Sequence, residues 1–123
     1  MVTDMNVYDQ RLLAVADQIR SEPSRFDMQW FESERECGTA HCIGGWAKVM
    51  FPSGAETRIN HHDQAVNALG LTEEHARILF YHCTLWAQRG ADWLGAITAD
   101  MAISVLEDIA HHRIDLDDYS ADA

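Results

Sequence analysis

Apolar residues recur along this chain at intervals of three and four, the spacing of helices that bury one face. Tyr8, Leu12, Val15 and Ile19 step by four, three and four, which predicts a helix over 4–21, capped by Thr3 and ended by Pro23. Ile43, Trp46 and Met50 share a face with Thr39, so a second helix is expected over 40–50, started by Thr39 and stopped by Pro52 and Gly54. Ile59, His62, Val66 and Leu69 mark a third, over 60–69 with Asn60 as cap. Gly70 suits a left-handed helix terminus, and Leu71 suits the apolar contact that accompanies it. Thr72 then caps a fourth helix, with Glu73 and Glu74 at the positive end of its dipole. It should bury Ala76, Leu79, Phe80 and Cys83 and fray near Arg89-Gly90. Trp93, Leu94 and Ile97 read as an apolar bridge to a last helix, opened by Thr98, whose stripe of Ala102, Val105, Leu106 and Ile109 ends near His112.

Between the first two helices, residues 24–37 mix aromatic anchors (Phe26, Trp30, Phe31) with charges, the pattern of a packed loop with one helical turn. No strand-like alternation of useful length occurs. The expected fold is therefore all-α: a compact orthogonal bundle of about five helices without significant sheet, one domain over 1–114. Residues 115–123 carry four aspartates and are expected to form a mobile acidic tail.

The least ordinary stretch is Cys37-Gly38-Thr39-Ala40-His41-Cys42-Ile43-Gly44-Gly45-Trp46-Ala47. Two glycines inside a helix cost about 1 kcal/mol each relative to alanine. The usual offset is another backbone, or a ligand, pressed against the bare surface. Gly44, Gly45 and Trp46 are accordingly the candidate ligand-binding residues of a small-ligand sponge. The stretch resembles a family of small uncharacterised bacterial and bacteriophage proteins with Cys-Gly-Thr, two variable residues, Cys, two more, then Gly-x-Ala. Matching positions are Cys37, Gly38, Thr39, Cys42, Gly45 and Ala47, and the likeness extends through Phe26-Asp27-Met28, Trp30, Leu69-Gly70-Leu71-Thr72 and Leu79-Phe80. Family members often carry alanine where Gly44 stands. The resemblance implies a shared fold and a phage or mobile-element origin, and no mechanism.

Charge changes the picture more than size does. Twenty acidic residues against nine basic ones give a formal charge of −11, and eight of the nine are arginine. Such a surface repels phosphate backbones and anionic lipid heads, so direct nucleic-acid and membrane binding are disfavoured. No long apolar run and no export pattern over 1–9 is present, and three cysteines are an odd number. A cytoplasmic location is expected, in a bacterial host cell if the protein is phage-encoded.

Candidate chemistry is thin. Cys42 is expected in the first turn of its helix, where free amides stabilise a thiolate, and with a nearby histidine it would make a thiol- or metal-dependent enzyme. The bland alternative is a buried structural cysteine. Cys37, His41 and Cys42 cluster as weak zinc ligands, although the paired spacing of structural zinc sites is missing. His41, His62-Asp63 and Asp108 occur in the order of an HD-type metal phosphohydrolase, a short motif that seven histidines can supply by chance. Glu107 with His111 and Asp108 with His112 are spaced to pair along a solvated helix end. With no cofactor required and no convincing catalytic set, the leading reading is a small acidic intracellular binding protein. Its partner would be a protein with a basic surface, and a phage-encoded modulator or inhibitor, including one that mimics nucleic acid, is the specific form expected.

Overall fold

The computed structural model describes residues 6–28, 33–35, 38–51, 61–81 and 84–119. Among them, six α-helices dominate and the fold is all-α. Helix α1 spans Val7–Ser21. Asn6 caps it, its side-chain oxygen accepting from the Asp9 N–H at 2.8 Å, so the helix starts three residues later than the apolar spacing predicts. Thr3 lies outside the described residues. Leu12, Val15, Ala16 and Ile19 are buried, mainly against the last helix, whereas Tyr8 remains 40% exposed. The Arg11 guanidinium sits over the Tyr8 ring, 5.6 Å from its centroid.

The segment expected as a turn into the second helix is a small hairpin instead. Strands β1 (Ser33–Arg35) and β2 (Gly38–Ala40) pair antiparallel, with Glu34 opposite Thr39. Thr39 is thus a ladder residue, not a helix cap. Three-residue strands are too short to show alternation, which is why the periodicity missed them. Upstream, Pro23–Arg25 forms a 3₁₀ turn, and Phe26 then pairs with His41 in a parallel bridge. There the Asp27 N–H donates to the His41 carbonyl at 3.0 Å and the His41 N–H donates to the Arg25 carbonyl at 2.8 Å.

Helix α2 therefore begins only at Ile43 and runs to Met50. Ile43, Gly44, Gly45, Trp46 and Ala47 are all buried in it. Its main packing partner is α3 (His61–Leu69), whose buried residues include Ala65, Ala68 and Leu69. Small residues are thus buried on both helices. The buried face of α3 is turned away from the expected one: His62 and Val66 are only half-buried.

Gly70 ends α3 with φ +63°. The Leu71 N–H donates to the Val66 carbonyl at 3.1 Å and the Gly70 N–H to the Asn67 carbonyl at 3.4 Å, the two bonds of a Schellman terminus. Thr72 caps α4 (Glu73–Phe80) through the His75 N–H at 3.1 Å, as its position predicts. The expected long fourth helix is broken, because Tyr81 is extended (φ −129°, ψ 164°) and a separate helix α5 spans Thr84–Gln88. Ala76, Leu79 and Phe80 are buried as the spacing predicts, joined by Ile78, Leu85 and Trp86, while Cys83 lies outside the described residues. Gly90, at φ +100°, closes α5 with a second Schellman terminus.

Trp93, expected in the apolar bridge, is 58% exposed, while Ile97 is buried. Thr98 caps α6 (Ala99–Ala110) through the Met101 N–H at 3.1 Å. Ala102, Ile103, Val105, Leu106 and Ala110 are buried there, and α6 with α1 makes the broadest helix pairing of the fold. Beyond it, Leu116–Asp118 forms a 3₁₀ turn packed on α4 with Leu116 buried. The acidic tail is thus anchored as far as residue 119, because one leucine among its aspartates finds the core. No helix among the described residues is long and apolar enough to cross a membrane.

Candidate functional site

A cavity of about 330 Å³ opens where the start of α1 meets the end of α6, the α3–α4 turn and the C-terminal 3₁₀ turn. Leu12, Leu69, Leu71, Ile109, Ile114 and Leu116 give it apolar walls, and Tyr8 and Gly70 flank them. Its polar lining includes Asp9, His75, His112 and Asp115.

Asp9 lies in the first turn of α1 with its side chain only 8% exposed. A carboxylate so deep is costly unless it is compensated. His112 supplies compensation: its Nε2 lies 2.9 Å from Asp9 Oδ2, although the imidazole itself is 71% exposed. His112 is held there by its backbone. Its N–H donates to the Ile109 carbonyl at 3.0 Å and the Arg113 N–H donates to the Asp108 carbonyl at 2.8 Å, a Schellman terminus for α6 with histidine in the place glycine usually takes. At φ +58° it is the one non-glycine with positive φ among the described residues. That conformation costs about 1–2 kcal/mol for a residue with a Cβ, and the Asp9 contact helps to offset it.

Across the cavity, His75 Nε2 lies 2.5 Å from Asp117 Oδ1. The ligand-capable atoms of His75, Asp115 and Asp117 all fall within 4.8 Å of one another, as do those of His62, Asp63 and Glu73 elsewhere on the surface. Either set offers one imidazole and two carboxylates, a mixture borderline divalent cations accept. His62 is otherwise engaged by the Tyr81 hydroxyl at 3.1 Å and by Glu73 at 2.9 Å. Burial first, then the nearby Cys42 and Glu73, push the Tyr81 phenol above its ordinary range.

The residues singled out in the sequence lie elsewhere. Cys42 is the cap of α2, not a member of its first turn: its Sγ accepts from the Gly45 N–H at 3.3 Å. Burial pushes its thiol up to about 11, outweighing the backbone amides that act the other way. This is the reverse of what a nucleophile needs. His41 is buried with its ring 4.6 Å from that of Trp46, and Cys37 lies outside the described residues, as does His82. Gly44, Gly45 and Trp46 are buried and line neither the cavity at Asp9 nor a second of about 410 Å³ bordered by Val7, Gln10, Arg11, Ala14 and Phe51. Trp46 instead carries the Arg25 guanidinium 5.1 Å from its ring centroid. The HD-type residues take different partners, with Asp108 bound by Arg89 at 2.8 Å and Arg113 at 2.7 Å. The expected pairings along α6 are replaced as well, since Glu107 takes Arg20 and His112 takes Asp9.

Because the folded thiol is pushed up, Cys42 should alkylate slowly. At about pH 8, where a free cysteine is partly thiolate, iodoacetamide should modify Cys42 at least about tenfold more slowly in the native protein than in urea. Peptide mapping by mass spectrometry reads this residue separately, and equal rates would refute it. The sign for stability follows from a thiol raised from 9.0 to about 11: its contribution is fully present below the unfolded value and is lost as pH rises through the folded one.

Compared with protein-family models, characterised proteins and solved structures, the chain shows no match in any of the three.

Proposed function

We propose that this chain is a small acidic binding protein whose carboxylate-rich surface engages a basic region of a partner protein. One observation carries the reading: on a chain of charge −11, the arginines whose side chains are described are engaged internally. Arg20 pairs with Asp17 and Glu107, Arg25 with Glu22, Arg77 with Glu73, and Arg89 and Arg113 share Asp108. Arg11 donates to the Ala68 carbonyl at 2.8 Å and lies over the Tyr8 and Phe51 rings. Meanwhile Glu74, Asp92, Asp100 and Asp118 are exposed. The outward field is anionic, and it favours encounter with cationic surfaces. The acidic charge makes a modulator or inhibitor of a host protein, its carboxylates standing in for phosphates, the specific form proposed, and the sequence resemblance adds only a phage or mobile-element origin.

Fluorescence anisotropy with a labelled arginine-rich peptide tests the reading. Raising salt from about 0.1 M to about 1 M shortens the screening length from about 10 Å to about 3 Å. Affinity should fall at least about tenfold over that range. Salt-indifferent binding, or equal affinity for a glutamine-rich control, would remove the electrostatic basis of the proposal.

A further inference from the structure

We infer that the cavity beside Asp9 is the specificity pocket of this surface, and that it accepts one basic side chain of the partner, a cationic head on an aliphatic stem. The inference rests on the acidic-surface reading and deepens it. The pocket's chemistry is divided in the way such a side chain requires. Leu69, Leu71, Ile109 and Ile114 form walls against which methylene groups lose water. At the polar side stands Asp9, a carboxylate buried to 8% exposure, with Asp115 also in the lining.

An acceptor-only carboxylate at the polar side favours a cationic donor over a neutral or anionic guest. A carboxylate offers about four acceptor sites, of which the His112 nitrogen fills one. A guanidinium or ammonium group brought into the pocket beside the two imidazoles, His75 and His112, would donate to the acceptor positions that His112 leaves open, in a setting where water screens the attraction less. The volume of about 330 Å³ is at the lower end for ligand pockets and suits one side chain, not a folded segment. The walls belong to elements far apart in the chain, α1, the α3–α4 turn and the α6 terminus, so the pocket exists only in the folded protein.

Methyl-resolved NMR with small probes tests the pocket apart from the wider surface. n-Butylguanidinium and n-butylammonium should produce saturable shifts at the Leu69, Leu71, Ile109 and Ile114 methyls. Neutral pentanamide, of similar length, should bind at least about fivefold more weakly. Asp9→Asn should weaken the cations at least about tenfold. If Asp9→Asn fails to fold, Asp115→Asn, which keeps an oxygen able to cap the 3₁₀ turn, should still weaken them measurably. Absent or non-saturable shifts, equal affinity for pentanamide, or cation binding unchanged in a folded variant overturns the pocket. If the arginine-rich peptide still binds with strong salt dependence in that case, the surface reading stands without it. If the probes saturate the pocket while the peptide does not bind, the pocket's ligand chemistry stands and the surface reading falls.

Discussion

Replacing Trp86 with alanine is expected to remove about 3–5 kcal/mol of folding stability, the usual cost of deleting a buried aromatic ring. Trp86 is completely buried in α5, and its carbonyl also accepts the Arg89 and Ala91 N–H groups that close that helix. A domain of this size has about 5–15 kcal/mol in total, so the variant should lie close to unfolding at ordinary temperature. Trp86→Phe gives the more instructive comparison. The indole Nε1 of Trp86 has no hydrogen-bond partner among the described residues. A buried N–H left unmade costs about 1–3 kcal/mol. Phenylalanine keeps most of the packing and removes that orphan group, so its net loss should stay below about 1.5 kcal/mol. Urea unfolding of the three proteins checks both values. A loss below about 1 kcal/mol for Trp86→Ala would mean that the ring is not packed as described.

Gly70→Ala is the second change with a large expected effect, and two separable causes contribute. At φ +63° any Cβ meets the intrinsic penalty of the left-handed region, about 1–2 kcal/mol. The added atom would also stand 2.6 Å from the Tyr8 ring, so that ring must move, at about 1–3 kcal/mol for overpacking. The sum is about 2–5 kcal/mol in the wild-type background. Tyr8 is 40% exposed and can be truncated, and in a Tyr8→Ala background only the backbone penalty should remain. The double-mutant cycle therefore reads the steric part as a coupling of at least about 1 kcal/mol. A coupling near zero would mean that Tyr8 swings away freely and does not wall the cavity.

Elements whose causes are local were legible in the sequence. Thr72 and Thr98 cap where a hydroxyl precedes a helical stripe, Gly70 ends a helix where glycine alone is comfortable, and the Leu12, Val15, Ile19 stripe is buried. What could not be read depends on neighbours distant in the chain. Thr39 looks like a cap until Glu34 arrives opposite it as a ladder partner. Cys42 looks activated by a helix terminus until burial outweighs the amides. His112 looks paired with Asp108 until two arginines take that carboxylate.

The cavity residues were missed for the same reason, since 103 positions separate Asp9 from His112 and 42 separate His75 from Asp117. One signal was nonetheless available. Asp9, Leu12, Ala16 and Ile19 follow helical spacing, and all four are buried. A carboxylate inside an apolar stripe is the sequence mark of a buried charge needing a partner.

The clasp between Asp9 and His112 also sets an order of events during synthesis. Helix α1 is made early, yet its main cover is α6. The clasp joins residues 103 positions apart, so it can form only after α6 has been made. Until residues 99–112 emerge, Leu12, Val15 and Ile19 are left without their principal lid, and apolar surface uncovered in this way is prone to association between chains.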